Sequence, residues 1–566
     1  MYVAARPSWA RSPVRRSSVL AVVVAVLAAV LGVAVVVAAL DPFATSTPSE
    51  ALAAPRFVDE AVSAGLDLRN DGPFTASVGG GLAVLDCDGD GRQDLYLAGG
   101  SRPAALFRNR SEIGGSLSFE RLPDAATDLA DVSGAYPLDV DADGLVDLAV
   151  LRLGENVLLR GLGDCHFERA NEAWSIDGGN AWTTAFSATW EGSATLPTLA
   201  FGSYLNLDEE QGPVYTCAEH QLLQPDDAGT GYAPPASLGP GYCTLSILFS
   251  DWDGSGRRDL RMTNDRHYYT DGQDQLWRME SGQEPREYTD ADGWVRLVIW
   301  GMGIASYDLT GDGYPEIYLT SQADNKLQTL LAGPGQPTYR DIALKRGVTA
   351  AQPFAGGDVL PSTAWHPQFD DVNNDGFMDL FVSKGNVSEQ PGYATRDPSN
   401  LLIGQPDGTF VEGAEAAGIL NYERGRGAAL ADLNLDGLLD LVLVNYGAPV
   451  RLWRNVGSGD GDQPVSMGSW LALRITQPAP NRDAVGGWVE VKIGDAVIRR
   501  ELTIGGGHVS GQHGWLHAGL GPASSAEVRV TWPDGETGPW MRVDANGFYE
   551  IDRGAGAVRP WDPPGD

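Results

Sequence analysis

The chain contains 566 residues, which is enough for one large domain and a smaller one, each with a sizeable apolar core. Its formal net charge is −35 at pH 7. Proteins that bind nucleic acid rely on Lys and Arg side chains that contact phosphates, so this charge argues against that class. We therefore expect no nucleic-acid partner.

The N-terminal region has the pattern of a membrane anchor. Residues 1–18 carry four Arg and no acidic residue, and residues 19–40 form an unbroken apolar run. A run of this length spans a bilayer as a helix, and its basic flank stays in the cytoplasm. The sequence therefore predicts a single-pass protein of the cell membrane, with a basic cytoplasmic N-terminus (1–18), a transmembrane signal-anchor (19–40), a linker (41–55) and an extracellular remainder.

A cleaved signal peptide is the alternative to a retained anchor. Val37 and Ala39 fit the small-residue positions of a cleavage site. Cleavage there produces a secreted protein, whereas the length of the apolar run favours retention.

An acidic turn at residues 86–94 begins the repeating part of the chain. Its acidic side chains occupy positions 1, 3, 5 and 9, namely Asp86, Asp88, Asp90 and Asp94. Clustered carboxylates repel one another unless a hard cation lies between them, and Ca²⁺ binds such oxygen ligands in flexible loops. The turn is not an EF-hand, because position 12 is Leu97 instead of Glu and the following residues indicate a strand. We therefore predict a calcium-binding loop that joins two strands.

Similar loops return five more times, and every substitution in them keeps an oxygen ligand. The expected ligands of these five loops are Asp139, Asp141, Asp143 and Asp147; Asp251, Asp253, Ser255 and Asp259; Asp308, Thr310, Asp312 and Glu316; Asp371, Asn373, Asp375 and Asp379; and Asp432, Asn434, Asp436 and Asp440. The sequence thus predicts about six Ca²⁺ sites. Six bound ions would bring the net charge to about −23.

A seventh, degenerate copy fits the wide gap between the second and third loops. Thr189, Glu191 and Ser193 occupy its first ligand positions, but Pro197 stands at the fourth, so we expect no metal there. The seven loops then start 50 to 63 residues apart. Self-similarity at this period indicates a repeat architecture.

Each repeat has the pattern of four short strands, one of which begins with an aromatic residue followed two places later by a polar or acidic one. Such units, arranged radially, form a β-propeller. The last unit lacks this strand, whereas Phe57–Asp59 precedes the first loop without a partner. We therefore predict a seven-bladed propeller over residues 56–456, closed by the N-terminal strand. A linear β-solenoid is the alternative.

The third repeat contains the largest irregularity of the chain, residues 204–242, with Cys217 and Cys243 near its ends. In an exported protein, two Cys that bracket a long loop indicate a disulfide. Cys87 and Cys165, in neighbouring repeats, are a second candidate pair that the sequence leaves open. Because long loops often carry function, we expect this insertion to contact an extracellular protein or glycan.

A separate module follows the repeats. Residues 457–464 have the composition of a polar linker, and residues 465–553 contain alternating, β-branched segments separated by Gly-rich turns. These features predict a small β-sandwich or barrel, followed by a tail at 554–566. The predicted fold class is therefore all-β: a seven-bladed propeller with calcium-binding hairpin loops and a small C-terminal β domain, preceded by a transmembrane helix.

The repeated loops resemble the FG-GAP (VCBS-type) repeats of the integrin-α propeller. The C-terminal module is similar to an ASPIC/UnbV domain, through Asn481–Gly486, Gly505–His508, His517–Gly521 and Trp532–Gly535. Together these motifs make the chain similar to the cartilage acidic protein family. The resemblance implies a secreted or surface protein that binds Ca²⁺, with bacterial relatives of which some are encoded beside enediyne biosynthesis genes.

Three His residues, His508, His513 and His517, lie within ten positions of each other and raise the question of a zinc site. The surrounding Gly residues indicate turns and strand, in which this spacing does not converge. We therefore favour packing or surface roles for these side chains.

Two functions are compatible with the sequence. It contains no Gly-x-Ser-x-Gly elbow, no His-Glu-x-x-His and no phosphate-binding Gly-Lys-Ser/Thr loop. We therefore expect a membrane-tethered, extracellular, calcium-binding interaction or adhesion scaffold without catalytic residues. The alternative is an enzyme or accessory factor that acts on a natural product or polysaccharide in the propeller channel.

Overall fold

The computed structural model describes residues 50–211, 214–265 and 271–563. The predicted transmembrane segment, 19–40, lies outside the described residues, and within these no helix is long and apolar enough to cross a bilayer. The described fold is all-β, as predicted. Its helices are short: α1 (Ala343–Arg346), α2 (Ala414–Ala417) and two 3-10 turns, Phe74–Ser77 and Asp290–Asp292.

Seven antiparallel sheets follow one another between residues 57 and 455, and we refer to them as blades 1–7. Strand β1 (Phe57–Asp59) precedes blade 1 along the chain. Blades 1 to 3 contain, in chain order, β2 (Leu82–Leu85), β3 (Asp94–Leu97), β4 (Ala105–Asn109) and β5 (Phe119–Leu122); β6 (Val132–Leu138), β7 (Asp147–Arg152), β8 (Val157–Gly161) and β9 (Phe167–Arg169); and β10 (Thr183–Thr189), β11 (Thr198–Ser203), β14 (His220–Leu223) and β15 (Ala236–Leu238), with a separate hairpin of β12 (Leu205–Gln211) and β13 (Val214–Cys217) inserted in blade 3.

Blades 4 to 7 repeat this arrangement. They contain β16 (Thr244–Ser250), β17 (Asp259–Asn264), β18 (Gln275–Arg278) and β19 (Arg286–Glu287); β20 (Gly301–Tyr307), β21 (Glu316–Ser321), β22 (Lys326–Leu330) and β23 (Tyr339–Asp341); β24 (Ala364–Asp370), β25 (Asp379–Lys384), β26 (Asn400–Gly404) and β27 (Phe410–Glu412); and β28 (Arg424–Ala431), β29 (Asp440–Tyr446) and β30 (Arg451–Asn455).

The innermost strands of the blades contact each other in cyclic order. Each of β2, β6, β10, β16, β20 and β24 contacts the innermost strand of the next blade, and β28 contacts β2. Apolar side chains fill the space between neighbouring sheets: Val84 and Leu95 of blade 1 share one buried cluster with Val442 and Leu452 of blade 7. The first and last blades therefore pack together in a propeller-like ring.

Strand β1 supplies the fourth strand of blade 7. It pairs antiparallel with β30, with Phe57 opposite Asn455 and Asp59 opposite Trp453. The pairing corresponds to the one that the sequence predicts, since blade 7 lacks an outer strand of its own. It buries Phe57 in the same apolar cluster as Trp453.

The strand register shifts the degenerate loop of blade 3 by one residue relative to our interpretation of the sequence. In blade 2, Leu138 pairs with Asp147, so the residue before the loop lies opposite its ninth residue. In blade 3 the equivalent pair is Thr189 and Thr198. The loop therefore begins at the buried Trp190 and not at Thr189, and Thr198, not Pro197, occupies the ninth position.

The C-terminal module consists of two four-stranded sheets that enclose one apolar core. One sheet contains β31 (Ser469–Thr476), β35 (Leu516–Gly521), β38 (Gly547–Asp552) and β39 (Ala557–Trp561); the other contains β32 (Trp488–Ile493), β33 (Ala496–Glu501), β36 (Ser525–Thr531) and β37 (Met541–Asp544). The short strand β34 (Gly511–Gln512) leaves the module and pairs in parallel with β2 of blade 1. Residues Thr47–Asp566 form one compact unit, so the module is packed on the blades.

A buried ion pair fixes the start of the chain to blade 7. Arg454 Nε lies 2.9 Å from Glu60 Oε1, with both side chains almost inaccessible, and Glu60 Oε2 accepts a hydrogen bond from Leu117 N (2.8 Å) of blade 1. Removing one partner of a buried pair leaves an uncompensated charge. The Arg454→Ala substitution should therefore lower the free energy of unfolding by about 3–5 kcal/mol, measured by denaturant titration.

The same strand pair offers a matched control. Arg451 pairs with Asp59 at 2.8 Å, but both side chains are about 40% exposed. Water and salt screen such a pair, so Arg451→Ala should cost less than about 1 kcal/mol. Equal losses in the two variants would contradict the role assigned to the buried pair.

Candidate metal loops and the plugged channel

The acidic side chains of each loop organise the turn that carries them. In blade 1, Asp86 accepts hydrogen bonds from Gly89 N (2.8 Å) and Gly91 N (2.9 Å). The bond from the sixth residue to the first carboxylate recurs in the other five loops, with N···O distances of 2.7 to 3.0 Å. That sixth residue is always Gly with φ between 81° and 91°, a conformation that only Gly adopts at little cost.

The acidic residue at position nine has a second, structural role that the sequence did not indicate. In blades 1, 2, 6 and 7 each of its two carboxylate oxygens accepts one backbone hydrogen bond. One donor is the N–H of the second loop residue and the other is an N–H of the third strand, with N···O distances of 2.7 to 3.0 Å. In blade 4, Asp259 accepts from Met279 N (3.0 Å) and from Trp252 Nε1 (2.8 Å). These carboxylates fix each loop to its own blade.

Two loops bring three carboxylates close together. Oxygens of Asp86, Asp88 and Asp90 lie within 4.8 Å of one another, and so do oxygens of Asp139, Asp141 and Asp147. Asp94 falls outside the first group and lies beside the disulfide of Cys87 and Cys165, and Asp143 falls outside the second. In the remaining four loops, where Ser, Thr or Asn replaces one Asp, no group of three carboxylates this close occurs within the described residues.

The loop carboxylates lie in surroundings that disfavour negative charge. Burial raises the pKa of Asp139 to about 7 and that of Asp147 to about 8, and it raises the pKa of Asp371 well above its usual value. The Oδ1 atoms of Asp139, Asp251 and Asp308 are buried and accept no hydrogen bond from the described residues. A bound cation would compensate both the charge and the missing donors.

Arginine side chains supply part of this compensation in three loops. The ion pairs join Arg108 to Asp88 (3.2 Å), Arg160 to Asp141 (2.8 Å) and Arg257 to Asp259 (2.7 Å). In blades 5, 6 and 7, no Lys or Arg among the described residues forms an ion pair with a loop carboxylate. The loops therefore differ in how much positive charge they still require.

The C-terminal module lies on the face of the ring that carries the loops. A Cβ atom added at Gly437 of blade 7 would lie 1.8 Å from the Trp470 ring, and one at Gly91 of blade 1 would lie 2.3 Å from Trp561. The module also contacts the acidic loops of the other four blades. Arg482 forms an ion pair with Asp139 of blade 2 (3.7 Å), and Pro533 O accepts a hydrogen bond from Arg258 of blade 4 (3.1 Å). Arg499 donates to Gly313 O of blade 5 (2.8 Å), and Gly519 lies beside Asp371 of blade 6. All six acidic loops thus lie under the module.

Residues 504–512 of the module, which we call the plug, enter the channel between the inner strands. Gly506 N donates to Ile247 O (2.7 Å), Gly507 N donates to Ile304 O (2.6 Å), and His508 N donates to His366 Nδ1 (3.0 Å). Further hydrogen bonds reach blades 1, 2 and 3 through Leu82, Tyr136 and Ser187, and Ser510 lies against Gly427 of blade 7. The plug therefore contacts all seven blades.

The predicted elements did not include the plug, because residues 504–512 were assigned to the β domain, whereas β33 ends at Glu501 and the chain then leaves the module. Two sequence features together indicate the plug. One is the Gly run at 505–507, and the other is Gly at the positions of the inner strands that face the plug. A Cβ atom at Gly81 or Gly134 would lie 1.8 or 1.9 Å from Val509 O. Neither pattern alone predicts the contact.

The three His residues of the module have separate partners. His508 Nε2 lies 2.9 Å from Val78 O, His513 Nε2 lies 3.1 Å from Asp483 Oδ2, and His517 Nε2 lies 2.6 Å from Asn374 Oδ1. Within the described residues they form no common metal-binding group. The side chains of His508 and His517 connect the module to the propeller, whereas that of His513 pairs within the module.

Both candidate disulfides are formed. Cys87 and Cys165 join the loop of blade 1 to the last hairpin of blade 2, and Cys217 and Cys243 join the inserted hairpin to the start of β16.

Part of the predicted linker is bound to the ring. Leu52 N donates a hydrogen bond to Asp375 Oδ2 (2.7 Å) in the loop of blade 6. Residues 50–55 therefore do not behave as a free linker, because the acidic loop offers acceptors for their backbone.

Two family models match this chain. A model described as FG-GAP-like repeat matches residues 86–150 and 371–443, which contain the acidic loops of blades 1, 2, 6 and 7. A model described as ASPIC and UnbV matches residues 477–558, within the C-terminal module. The chain therefore contains segments similar to FG-GAP-like repeats and a C-terminal segment similar to the ASPIC and UnbV domain, which confirms the resemblance inferred from its motifs.

The similar proteins include cartilage acidic protein 1 from Mus musculus, 28% identical over 264 residues, and from Homo sapiens, 26% identical over 261 residues. Each match covers 43% of this chain and 36% of the relative, so the chain spans little more than a third of those proteins. Among solved structures, BBS1N in complex with ARL6DN aligns at 12% identity and a TM-score of 0.40, covering 70% of this chain and 96% of that chain. A likeness this low identifies no shared function.

The close contacts of the plug yield a direct test. In Gly81→Ala or Gly134→Ala, the new Cβ atom collides with Val509 O, and overpacking of this kind costs about 1–3 kcal/mol. We expect the plug and module to loosen, so that limited proteolysis cleaves the chain near residues 457–464 or 503–512 faster than in the unsubstituted protein. Gly538→Ala is the control, because it lies outside both segments and its new Cβ atom would meet its nearest neighbour, Val530 O, at 3.5 Å. Unchanged cleavage in both plug variants would contradict this packing.

Proposed function

We propose that this protein is a membrane-tethered, extracellular interaction scaffold whose acidic loops bind Ca²⁺ and thereby hold the C-terminal module on the propeller. The observation that carries the proposal is the position of the loops. Six turns that each contain at least one buried carboxylate lie at one interface, and the side chains around them only partly balance their charge. Hard oxygen donors in this arrangement fit Ca²⁺ better than soft or nitrogen-binding metals.

The ligands in each loop are the residues at positions 1, 3, 5 and 9. When bound, Ca²⁺ neutralises these carboxylates and makes their burial under the module favourable. Residues of the chain position the loops and cover them. The N–H of the sixth-position Gly donates a hydrogen bond to the first carboxylate of each loop, and Trp470, Trp561 and Arg482 of the module lie over three of the loops. Calcium binding and module docking are in this view one coupled event.

The geometry of the channel supports a scaffold over an enzyme. The plug contacts every blade, and the cavity that remains beside it measures about 250 Å³. Pockets that hold small-molecule ligands typically measure about 300–1,000 Å³. A second cavity, of about 470 Å³, lies where the inner strands begin and is lined by Val78, Leu245 and Trp365 among others. The plug therefore occupies the part of the channel nearest the acidic loops, which favours a scaffold over an enzyme that acts there.

The expected partner is an extracellular protein or glycan. The inserted hairpin β12–β13 projects from blade 3 as a sheet of its own and is joined to β16 by the Cys217–Cys243 disulfide. An insertion without a counterpart in the other six blades is free to diverge for recognition. We assign the partner contact to this hairpin.

Calcium should stabilise the folded chain. A ligand that binds only the folded state adds about 2.7 kcal/mol per site at a hundredfold excess over its Kd. The thermal unfolding midpoint in millimolar Ca²⁺ should therefore exceed that in chelator, and elemental mass spectrometry should find several Ca²⁺ per chain. An identical midpoint in the two conditions, or metal-free protein, would rule out the proposal.

A single substitution separates calcium binding from folding. Asp371 is buried and accepts hydrogen bonds from Asp375 N (3.1 Å) and Gly376 N (2.7 Å); an Asn side chain keeps an acceptor but removes the charge. We expect Asp371→Asn to be at least as stable as the parent in chelator, since a buried charge is gone, and less stable than the parent in Ca²⁺. The measurement is the unfolding midpoint in both conditions.

Glu415→Gln is the matched control for this experiment. Glu415 is an exposed carboxylate on α2 of blade 6, and its substitution makes the same change in net charge. The control should keep the full Ca²⁺-dependent stabilisation. A loss of equal size in the two variants would show that general charge, and not the loop, is responsible.

The membrane tether is tested by fractionation. The full chain should stay with the membranes after an alkaline carbonate wash, whereas a variant that lacks residues 1–49 should not. Release of the intact full chain would favour the secreted form.

A further inference from the structure

Blade 6 contains a buried lysine that faces a buried aspartate. Lys384 is the last residue of β25, and its Nζ atom lies 3.1 Å from Asp397 Oδ1, which precedes β26. The two side chains are 0% and 1% exposed. Although close, Nζ lies outside hydrogen-bond geometry toward any described acceptor. The amine and the carboxyl group are therefore in contact, shielded from water and not engaged in an ideal ion pair.

The lysine is peculiar to this blade. Five residues after the ninth loop position, the other blades carry Gly99, Arg152, Ser203, Asn264, Ser321 and Asn445. Blade 4 has a buried carboxylate just before its third strand, Asp274, but Thr263 Oγ1 (2.9 Å) and Asn264 N (2.9 Å) are its hydrogen-bond donors. Among the residues that the structure describes, blade 6 is the one blade that combines such a carboxylate with a primary amine.

The surroundings activate both groups. Asp397 accepts hydrogen bonds from Ser362 Oγ (2.8 Å) and Thr363 N (2.9 Å), which hold the carboxyl group in place and withdraw electron density from it. Burial lowers the pKa of Lys384, so a larger fraction of the amine is uncharged and nucleophilic. Burial also raises the pKa of Glu412, whose carboxyl group accepts a hydrogen bond from Asn400 on the neighbouring strand.

We propose that Lys384 and Asp397 form an intramolecular amide bond, which makes blade 6 a covalently cross-linked sheet. One proton passes from the Lys384 ammonium group to the Asp397 carboxylate within the pair, the Nζ lone pair then attacks Cγ of Asp397, and the tetrahedral intermediate forms between the two side chains. The C–O bond to the hydroxyl group then breaks, and this group leaves with one amine proton as water. No oxidant, reductant or second substrate takes part, so the atoms balance as one new C–N bond and one released water molecule.

Formation of the bond removes both charges from the interior. A buried ion pair keeps a desolvation penalty that its attraction only partly repays, especially where its hydrogen bonds are imperfect. The amide is neutral and needs one donor and one acceptor. The cross-link closes the loop between β25 and β26, whose residues Asn386 and Val387 accept hydrogen bonds from the buried Arg426 of blade 7 (3.0 and 2.7 Å). It thus fixes a loop that borders the channel.

Peptide mapping of the full chain decides the question. Trypsin cleaves after unmodified Lys384 and Arg396, which gives the linear peptides 347–384 and 397–424. With the amide in place, cleavage after Lys384 is blocked, and segment 347–396 remains joined to 397–424. The branched product weighs one water molecule less than the sum of its parts, and tandem mass spectrometry locates the bond at Lys384 and Asp397.

The Lys384→Arg variant is the matched control. Arginine keeps a positive charge beside Asp397 and a tryptic site, but its guanidinium is not a comparable nucleophile. The variant should give only linear peptides, while the parent protein, denatured and digested in the same way, should give the branched one. Recovery of peptide 347–384 with a free Lys384 from the whole of the folded parent protein would overturn the proposal and leave an ordinary buried ion pair.

Discussion

Repulsion between carboxylates at one end of the ring is the constraint on which the rest of the structure depends. The inner strands all run toward the same face, so each hairpin that follows them adds its acidic turn to that face. The module then covers the turns and removes water from them. Desolvation raises the pKa of loop residues such as Asp139 and Asp371, so charge must be neutralised locally before the interface is favourable. Arginines of the blades and module neutralise some of it, and the remaining charge is the basis of the proposed Ca²⁺ binding.

The plug gives the two domains a shared core. A propeller normally leaves a channel along its axis, lined by backbone and small side chains of the inner strands. Here a Gly-rich segment enters that channel, and its backbone groups form hydrogen bonds with the inner strands. Each domain therefore satisfies polar groups of the other. This mutual dependence explains why a module with its own apolar core still forms one compact unit with the blades.

Much of the fold follows from local patterns in the sequence. The acidic turns, the short strands on either side of them and the unpaired Phe57–Asp59 strand are each determined by residues close in sequence, and all were predictable. The first residue of the blade 3 loop was not predictable. Thr189 and Trp190 were both possible, and only the pairing of Thr189 with Thr198 on the opposite strand shows that the loop begins at Trp190. The plug and the contact of Leu52 with Asp375 depend on residues hundreds of positions apart, for which a single sequence carries no pairing signal. The second role of Asp94 was hidden for a different reason: its partner Asn109 lies on the neighbouring strand β4, but the sequence does not show which backbone N–H groups point toward a carboxylate.

The closing strand has a mechanical consequence. Any force that pulls on the chain before residue 50 meets, in succession, the bonds of Leu52 to blade 6, the three residue pairs of β1 with β30, and the ion pair of Glu60 with Arg454. The strand pairing and the ion pair lie at the seam where β1 closes the ring. Tension on the N-terminal end would therefore act first on the seam, where two strands from opposite ends of the repeat region pair. The seam would separate before the other blades unfold.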